Sequence, residues 1–344
     1  MILRQAQDFA LRQAQHSALR QAQGAAWRVA ITLGDPGGIG PEVTLKALAR
    51  LTPFERKNIV LLGPETIYSQ LLRKLSVKIP LVYFFDRAYS KKVVLGRSVD
   101  AQTRLAVASI DLAASLAMQG KVEAIVTAPI NKAGLKKAGF MMPGHTEYLA
   151  ELSGTKKYEM MLVGGPLRTV LVTRHVAIKD VPSKILKNRV EETILMADFE
   201  LRRSFGIQRP RLVVCGLNPH AGEKGNFGRE EIEQIRPAVI SAKKKIKGVV
   251  TGPLSPDALF YDAYQGKYDA QICMYHDQGL IPLKMISRGH GVNVTLGLPF
   301  VRTSPDHGTA YDIASSFKAD PGSMLEAIRL AIQISAHRKR HART

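Results

Sequence analysis

Short apolar runs alternate in this chain with longer segments of helical periodicity. Strand-like runs are predicted at residues 28–33, 58–63, 81–85 and 122–127. Helical segments are predicted at residues 67–75, 102–119, 183–204, 229–245 and 322–334. Because parallel strands need a crossover connection that is usually a helix, this alternation predicts an α/β fold with a mostly parallel sheet. At 344 residues the chain fits two domains or one large one.

The two ends of the chain differ in composition from the rest. Residues 1–26 carry the sequence Leu-Arg-Gln-Ala-Gln three times, at 3–7, 11–15 and 19–23. The repeat lacks an apolar stripe wide enough to pack firmly, so we expect a disordered extension without a catalytic role. Residues 337–344 form a basic tail, predicted to be a solvated end.

The formal net charge of +20 raises the possibility of nucleic-acid binding. Much of the excess lies in the N-terminal extension, in residues 243–247 and in the basic tail. The sequence has no helix-turn-helix signature, no zinc-finger spacing and few aromatic residues to stack on bases. We therefore expect no dedicated nucleic-acid function, and an acidic, phosphorylated substrate is a better match to a few well-placed cations.

The cysteine count and the hydropathy pattern point to one compartment. Cys215 and Cys273 are the two cysteines, and both lie in strand-like runs, so a disulfide framework is not expected. No run approaches the roughly 18 apolar residues of a membrane helix, and no secretory signal is recognisable. These features predict a cytoplasmic protein. Cys273 precedes His276 by three residues, which suggests a metal pair, but a buried strand thiol is the preferred interpretation.

Three histidines follow short apolar runs. His175 comes after residues 170–173, His220 after 212–215 and His276 after 270–275. In an open α/β sheet, ligands bind outside the carboxyl ends of the strands. Three imidazoles delivered there could form a catalytic metal site with an open coordination position, suited to Zn²⁺, Co²⁺ or Ni²⁺.

Two carboxylates lie near these histidines in the sequence. Asp277 is adjacent to His276, and Asp257 follows the turn at residues 252–256. Either could orient a ligand imidazole or take a proton from a hydroxyl group. For Asp257 an equally good interpretation is a helix N-cap.

Candidate anion-binding residues occur in two clusters. His145 and Thr146 stand where a helix is about to begin, and helix N-termini favour anions. Lys284, Asn293 and Arg302 are spread over a glycine-rich stretch, and a lysine or arginine suits phosphate or carboxylate. The alternative roles are a cap and a surface histidine for the first cluster, and solvated side chains for the second.

Two turns rich in small residues complete the candidate set. Residues 34–42 form a glycine-rich turn between a predicted strand and a helix. Its outline resembles a phosphate-binding loop, but it has neither the G-x-G-x-x-G register nor the P-loop lysine, so a tight strand-to-helix turn is the preferred interpretation. Residues 304–314 contain a second turn that could let backbone approach a ligand closely or could simply cap the next helix.

Six motifs appear in order between about residues 28 and 334. They are Gly34-Asp35-Pro36-x-Gly38-Ile39-Gly40-Pro41-Glu42, Thr127-Ala128-Pro129-Ile130-Asn131-Lys132, Gly144-His145-Thr146-Glu147, Asn218-Pro219-His220-Ala221-Gly222-Glu223, Tyr275-His276-Asp277-Gln278-Gly279 and Asp306-His307-Gly308-Thr309-Ala310. Together they resemble the 4-hydroxythreonine-4-phosphate dehydrogenase family of vitamin B6 biosynthesis.

The resemblance implies a fold like that of the isocitrate and isopropylmalate dehydrogenases, with two α/β domains, an active-site cleft between them and an obligate homodimer. The expected bounds are residues 27–140 with 309–336 for the first domain and 141–308 for the second, which carries most ligands. The resemblance also implies a divalent metal (Zn, Mg or Co) at His175, His220 and His276, in a site shared across the dimer interface.

The same resemblance assigns substrate and cofactor residues. It implies substrate contacts at His145, Thr146, Lys284, Asn293 and Arg302, and NAD or NADP at His307, Gly308, Thr309 and Ala310. The implied reaction is oxidation of 4-phosphooxy-L-threonine at C3, then decarboxylation to 3-amino-2-oxopropyl phosphate. Asp277 or Asp257 is expected to handle the proton, with Lys284 as a further catalytic candidate.

Alternative functions remain open at the level of the sequence. Relatives of this architecture oxidise four-carbon sugar-acid phosphates such as threonate or erythronate 4-phosphate, or cyclic cis-dihydrodiol carboxylates. The two clusters of candidate anion-binding residues favour a phosphorylated substrate over the dihydrodiol. A remote alternative is a non-catalytic, metal-stabilised anion-binding protein, which predicts anion binding without NAD reduction.

Overall fold

The computed structural model of the chain describes residues 28–80, 91–141 and 144–342. The N-terminal repeat and the strand predicted at 81–85 lie outside the described residues. The chain divides into two compact units, Met1–Lys156 with Leu298–Ser335 and Lys157–Gly297 with Ala336–Thr344. The bounds predicted for two folding domains differ from those of these units and stay a prediction.

Strands and helices alternate in both units. The strands are β1 (Val29–Thr32), β2 (Ile59–Leu62), β3 (Ala124–Val126), β4 (Glu159–Gly164), β5 (Leu167–Leu171), β6 (Arg211–Cys215), β7 (Val249–Leu254), β8 (Ala270–Cys273), β9 (Val292–Leu296) and β10 (Val301–Pro305). The α-helices are Gly40–Arg50, Pro53–Arg56, Glu65–Leu75, Asp100–Met118, Lys132–Lys137, His145–Leu152, Val181–Lys184, Lys187–Phe205, Arg236–Lys243, Pro256–Tyr264, His276–Ser287 and Gly322–His341. No helix in the described ranges is long and apolar enough to span a membrane.

The first unit contains four parallel strands in the order β2-β1-β3-β10. Val29 of β1 is aligned with Ile59 of β2 and with Ala124 of β3. Every residue of β1, β2 and β3 is buried, which is typical of a parallel sheet covered on both faces. The α/β fold class predicted from the alternation is confirmed.

The second unit contains strands in the order β9-β4-β5-β8-β6-β7. β4 is antiparallel to both β9 and β5, whereas the pairs β5–β8, β8–β6 and β6–β7 are parallel. Its core includes a cluster of buried residues from these strands, from two neighbouring helices and from the loop before β8, namely Leu162, Leu167, Leu171, Val213, Cys215, Leu259, Ala263, Tyr268, Cys273, Leu280 and Leu283. This core fixes the strand ends that carry the three histidines.

A local sequence signal sets the end of one long helix. The helix Lys187–Phe205 ends at Gly206, whose φ of 72° lies in the left-handed region that glycine adopts without a Cβ penalty.

The last helix, Gly322–His341, continues through part of the segment predicted to be a solvated basic tail. Arg338 explains the difference, because its half-buried guanidinium pairs with the buried Glu200 at 3.1 Å and donates to Ser204 Oγ.

Candidate active site

The three strand-end histidines belong to neighbouring parallel strands of the second unit. β5, β8 and β6 lie side by side, so their carboxyl ends share one edge of the sheet. His175 follows β5, His276 follows β8 and His220 follows β6. The side chains of His175 and His220 are exposed, and that of His276 is half-buried.

His175 and His276 form a close pair. Their ring centroids are 5.9 Å apart and their planes are inclined by 38°. Imidazole nitrogens bind Zn²⁺ at about 2.0–2.1 Å, so rings at this separation can each direct one nitrogen to a shared ion. Among residues 28–80, 91–141 and 144–342, no three His, Cys, Asp or Glu side chains are grouped closely enough to hold a metal. One chain therefore brings two of the three predicted ligands together.

Asp277 contacts one member of the pair. Its Oδ1 lies 2.7 Å from His276 Nδ1, and both residues begin the helix His276–Ser287. A carboxylate on one ring nitrogen fixes the imidazole orientation and leaves Nε2 for a ligand. Asp257 lies in the first turn of the helix Pro256–Tyr264, whose N-cap is Ser255, so the N-cap interpretation of Asp257 is wrong.

The two cysteines lie just before the histidine-bearing loops. Cys215 Sγ and Cys273 Sγ are 3.6 Å apart, and both side chains are fully buried. Burial, reinforced by the neighbouring Cys215, raises the pKa of the Cys273 thiol well above its usual range. Both cysteines are therefore packed thiols of the sheet, as expected, and Cys273 contacts Cys215.

The first unit contains a buried cation held by hydroxyl groups. Arg302 on β10 is 3% exposed and donates from Nε and Nη2 to Thr127 Oγ1, at 3.2 and 2.8 Å. Its Nη1 lies 3.4 Å from Thr146 Oγ1, a longer contact. Burial lowers the pKa of Arg302 to about 10, which keeps the guanidinium charged at neutral pH. Two of the predicted substrate residues, Arg302 and Thr146, are thus in contact.

His145 begins the helix His145–Leu152, as predicted. Burial, together with the positive charges of Arg302 and Lys132, lowers its pKa well below 6.5, so the ring is neutral at physiological pH. Its Nε2 is buried and has no hydrogen-bond partner among the described residues. A neutral ring nitrogen beside two cations is suited to an anionic group that carries or accepts a proton.

Sequence reasoning assigned no role to Thr127 or Lys132, which lie in this cluster. Both belong to the motif at residues 127–132. The order of the six motifs indicates the family, but it does not indicate which residues are in contact. Lys132 Nζ lies 3.9 Å from the position that a Cβ on Gly144 would occupy. The signal that could have identified Thr127 is its position directly after the strand that ends at Val126, because this position lies at the carboxyl edge of the sheet.

Lys284 and Asn293 lie in the second unit. Lys284 is exposed in the last turn of the helix His276–Ser287, and Asn293 is on β9. Asn293 Oδ1 is buried without a hydrogen-bond partner in the part of the chain that the structure describes. Such an atom is costly to leave unsatisfied, which makes Asn293 a candidate ligand contact.

The turn at residues 307–310 packs against the glycine-rich turn of the first unit. Ile39 N donates to Thr309 O at 2.9 Å, and a Cβ on Gly38 would lie 2.6 Å from the same oxygen. Tyr311 Oη donates to Asp35 Oδ2 at 2.6 Å, and burial raises the pKa of Asp35. The glycine-rich segment is therefore a tight strand-to-helix turn built around a neighbouring turn, as the preferred interpretation predicted.

The open side of the 307–310 turn has room for a ligand. A Cβ on Gly308 would meet no atom of the described residues within 4 Å. His307 Nδ1 contacts Gly308 O at 3.1 Å, while its buried Nε2 lacks a hydrogen-bond partner among the described residues. A turn with accessible backbone and a buried, unsatisfied imidazole nitrogen is a candidate for close ligand approach.

The chain is similar to known proteins over most of its length. The family model of the pyridoxal phosphate biosynthetic protein PdxA matches residues 44–331. The chain is 42% identical over 325 residues to a 4-hydroxythreonine-4-phosphate dehydrogenase of Desulfosudis oleivorans, covering 90% of this chain and 96% of that protein. It is also 42% identical to a D-threonate 4-phosphate dehydrogenase of Pectobacterium atrosepticum, covering 89% and 99%. A crystal structure of 4-hydroxythreonine-4-phosphate dehydrogenase from Klebsiella pneumoniae superposes with a TM-score of 0.81 and 39% identity, covering 90% and 99%.

Proposed function

The chain belongs to the family of the pyridoxal phosphate biosynthetic protein PdxA, and we propose that it is the 4-hydroxythreonine-4-phosphate dehydrogenase of that pathway. In this proposal it oxidises 4-phosphooxy-L-threonine at C3 with NAD or NADP. The observation that carries the proposal is the buried contact of Arg302 with Thr127 and Thr146, beside His145, whose Nε2 has no hydrogen-bond partner among the described residues.

The Arg302 cluster supports an anionic substrate. Arg302 offers a planar fork of donors that matches phosphate or carboxylate, and its burial strengthens its interaction with an opposite charge. Neutral His145 and the hydroxyl of Thr146 add hydrogen-bonding groups without adding charge. Lys284 and Asn293 of the second unit are proposed as further substrate contacts, and Asn293 contributes an amide oxygen that has no partner within the described ranges.

His175, His220 and His276 are proposed to hold a divalent metal. The donor chemistry fits, because neutral imidazole suits Zn²⁺ and Co²⁺ and the His175–His276 spacing allows a shared ion. When bound, the metal would supply Lewis-acid stabilisation to the hydroxyl that is oxidised. Since the described part of one chain groups only two of these histidines, we propose that the site is completed across the interface of a homodimer.

The proposed reaction balances without a further reactant. The hydroxyl proton would pass to Asp277 or Asp257, and NAD or NADP, when bound, would supply the acceptor for the C3 hydride. The resulting β-keto acid would lose CO2, and C2 would take up a proton from the protonated Asp277 or Asp257 to give 3-amino-2-oxopropyl phosphate. The cofactor is proposed to bind at His307, Gly308, Thr309 and Ala310, where Gly308 leaves space for close approach of a ligand.

A second candidate substrate is D-threonate 4-phosphate. The Pectobacterium atrosepticum enzyme named for this substrate is as similar to the chain as the Desulfosudis oleivorans relative. The Arg302 cluster would bind the phosphate or carboxylate of either molecule equally well. On the carbon beside the oxidised one, 4-phosphooxy-L-threonine carries an amine, whereas D-threonate 4-phosphate carries a hydroxyl.

The test is an assay of NADH or NADPH formation by the purified protein with Zn²⁺ or Mg²⁺. Chelator-sensitive reduction with 4-phosphooxy-L-threonine, lost in His175→Ala, is the expected result. Reduction with D-threonate 4-phosphate alone would keep the chemistry but replace the substrate. Absence of reduction with both substrates would overturn the proposal.

A further inference from the structure

The segment that carries His220 has an unusual backbone. His220, Ala221, Gly222, Glu223 and Lys224 all have positive φ, between 40° and 79°. Four of these residues have a Cβ, and L-residues adopt this conformation singly rather than in runs. The surrounding structure must therefore hold the segment in place, since the isolated sequence would not adopt it.

Glu231 supplies such a constraint. Its Oε1 accepts hydrogen bonds from the backbone N–H groups of Leu217 and Asn218, at 2.7 and 2.8 Å. Its Oε2 accepts a third from Asn218 Nδ2 at 2.9 Å, and Glu230 Oε2 accepts from the same amide at 2.8 Å. Glu231 is 1% exposed, so these bonds are made away from water.

Two glycines leave the space in which the Glu231 carboxylate lies. A Cβ on Gly222 would be 2.6 Å from Glu231 Oε2, and a Cβ on Gly216 would be 3.2 Å from Glu231 Oε1. The carboxylate is thus enclosed by the residues on both sides of the turn, between the end of β6 and the left-handed segment. It joins the strand end and the segment into one packed unit.

Glu231 begins the π-helix Glu231–Ile235, and π-helical turns often occur at functional sites. The two acidic residues of this turn differ in environment. Glu231 is buried beneath the His220 segment, whereas Glu233 is exposed and paired with Arg229 at 2.5 Å. This contrast gives a matched control on the same turn.

We propose that Glu231 is a positioning residue for His220, which holds the Asn218–Lys224 segment in the conformation that presents the imidazole to a divalent metal. The inference rests on the metal-binding role of His220 in the proposed function. Glu231 contacts neither metal nor substrate in this proposal, because its Oε1 accepts from the backbone N–H groups of Leu217 and Asn218 and its Oε2 accepts from the side-chain amide of Asn218.

The first test measures the segment itself, in the metal-free full chain. Hydrogen exchange followed by mass spectrometry should show faster exchange of peptides spanning 216–228 in Glu231→Ala, because the acceptor of Leu217 N and Asn218 N is removed. Glu231→Gln should be intermediate, since one oxygen can still accept from both N–H groups. Glu233→Ala should exchange like the wild type.

The second test measures Co²⁺ affinity by calorimetry and the visible d–d absorption of bound Co²⁺. We expect roughly 10- to 100-fold weaker binding in Glu231→Ala, with an altered spectrum, because residues that orient a ligand typically contribute this much. Glu231→Gln should recover part of the loss. If Glu231→Ala fails to fold, the comparison of Glu231→Gln with Glu233→Ala still tests the proposal.

Three results would overturn the inference. Unchanged exchange at 216–228 in both Glu231 variants would show that the carboxylate does not hold the segment. Faster exchange with wild-type Co²⁺ affinity, while His220→Ala binds Co²⁺ weakly, would reduce Glu231 to a purely structural role. Wild-type Co²⁺ affinity in His220→Ala would remove His220 from the metal site. The metal assignment of the proposed function would then fail, and the inference that rests on it would fail with it.

Discussion

Asp277 Oδ1 lies 2.7 Å from His276 Nδ1, and the ring of His276 lies 5.9 Å from that of His175. The carboxylate therefore acts on one member of the close histidine pair and leaves Nε2 of that imidazole available. The pairing of a carboxylate with a ligand histidine raises the basicity of the imidazole and fixes its tautomer.

Replacing this carboxylate should weaken metal binding. For Asp277→Asn we expect roughly 10-fold lower affinity for Zn²⁺ or Co²⁺, measured by calorimetry, because the amide keeps the hydrogen bond but loses the charge. Asp257→Asn should leave the metal affinity unchanged. It should lower kcat if Asp257 takes the proton of the oxidised hydroxyl. Unchanged turnover in the double variant would exclude both carboxylates from proton transfer.

The fork of Arg302 should be needed for substrate binding. Arg302→Lys keeps the positive charge but cannot donate to Thr127 and to a substrate anion from a planar fork. We expect the KM for the phosphorylated substrate to rise roughly 10- to 100-fold, since a hydrogen bond to a charged group contributes about 1.5–3 kcal/mol. Arg168→Lys, at a half-buried arginine of the second unit, is the control. Equal KM values in the two variants would contradict the assignment.

Much of this architecture follows from apolar periodicity. The apolar runs at residues 170–173, 212–215 and 270–275 predict strands, and they overlap the mostly buried strands β5, β6 and β8, because a strand covered on both faces is largely apolar. Four strands, β4, β7, β9 and β10, were not predicted. Residues 252–254, at the end of β7, were interpreted as part of a turn, and Gly289, Gly291 and Gly297 made the region of β9 and β10 resemble a loop. β10 moreover carries the buried charge of Arg302, which no hydropathy pattern indicates.

The environment of His220 was beyond prediction for a different reason. Four non-glycine residues with positive φ contradict local propensity, and the contact that explains them comes from Glu231, on a separate turn. Likewise, the contact of Thr127 with Arg302 joins residues far apart in the chain. Residue types and order indicated the family, whereas these partners depend on tertiary packing.

Gly308 offers a test of the cofactor site. Within the described part of the chain, a Cβ at this position meets no atom within 4 Å, so Gly308→Ala should keep the melting temperature of the wild type. If the nucleotide approaches this backbone, the KM for NAD(P) should rise at least several-fold while the KM for the phosphorylated substrate stays constant. Gly38→Ala should affect both stability and cofactor KM, because its Cβ would lie 2.6 Å from Thr309 O. An unchanged cofactor KM in Gly308→Ala would exclude the turn from the nucleotide site.

Asp111 predicts a pH dependence of stability. It lies on the helix Asp100–Met118 and accepts a hydrogen bond from Tyr148, on the helix that begins with His145. Burial raises the pKa of Asp111 from 3.8 to about 6, although the bond from Tyr148 lowers it in part. The folded state therefore binds this proton more tightly than the unfolded state. The resulting stabilisation is fully present below about pH 4 and is lost as the pH rises through 6.

Asp111→Asn removes this titration, because the amide is neutral throughout. Relative to the wild type, the free energy of unfolding of the variant should increase between pH 4 and pH 8 by up to about 3 kcal/mol, at about 1.4 kcal/mol per pKa unit. Urea denaturation at the two pH values measures the change. Asp100→Asn, an exposed carboxylate on the same helix, should change little. A pH-independent difference between Asp111→Asn and the wild type would mean that Asp111 has an ordinary pKa and that its burial is compensated by its partners.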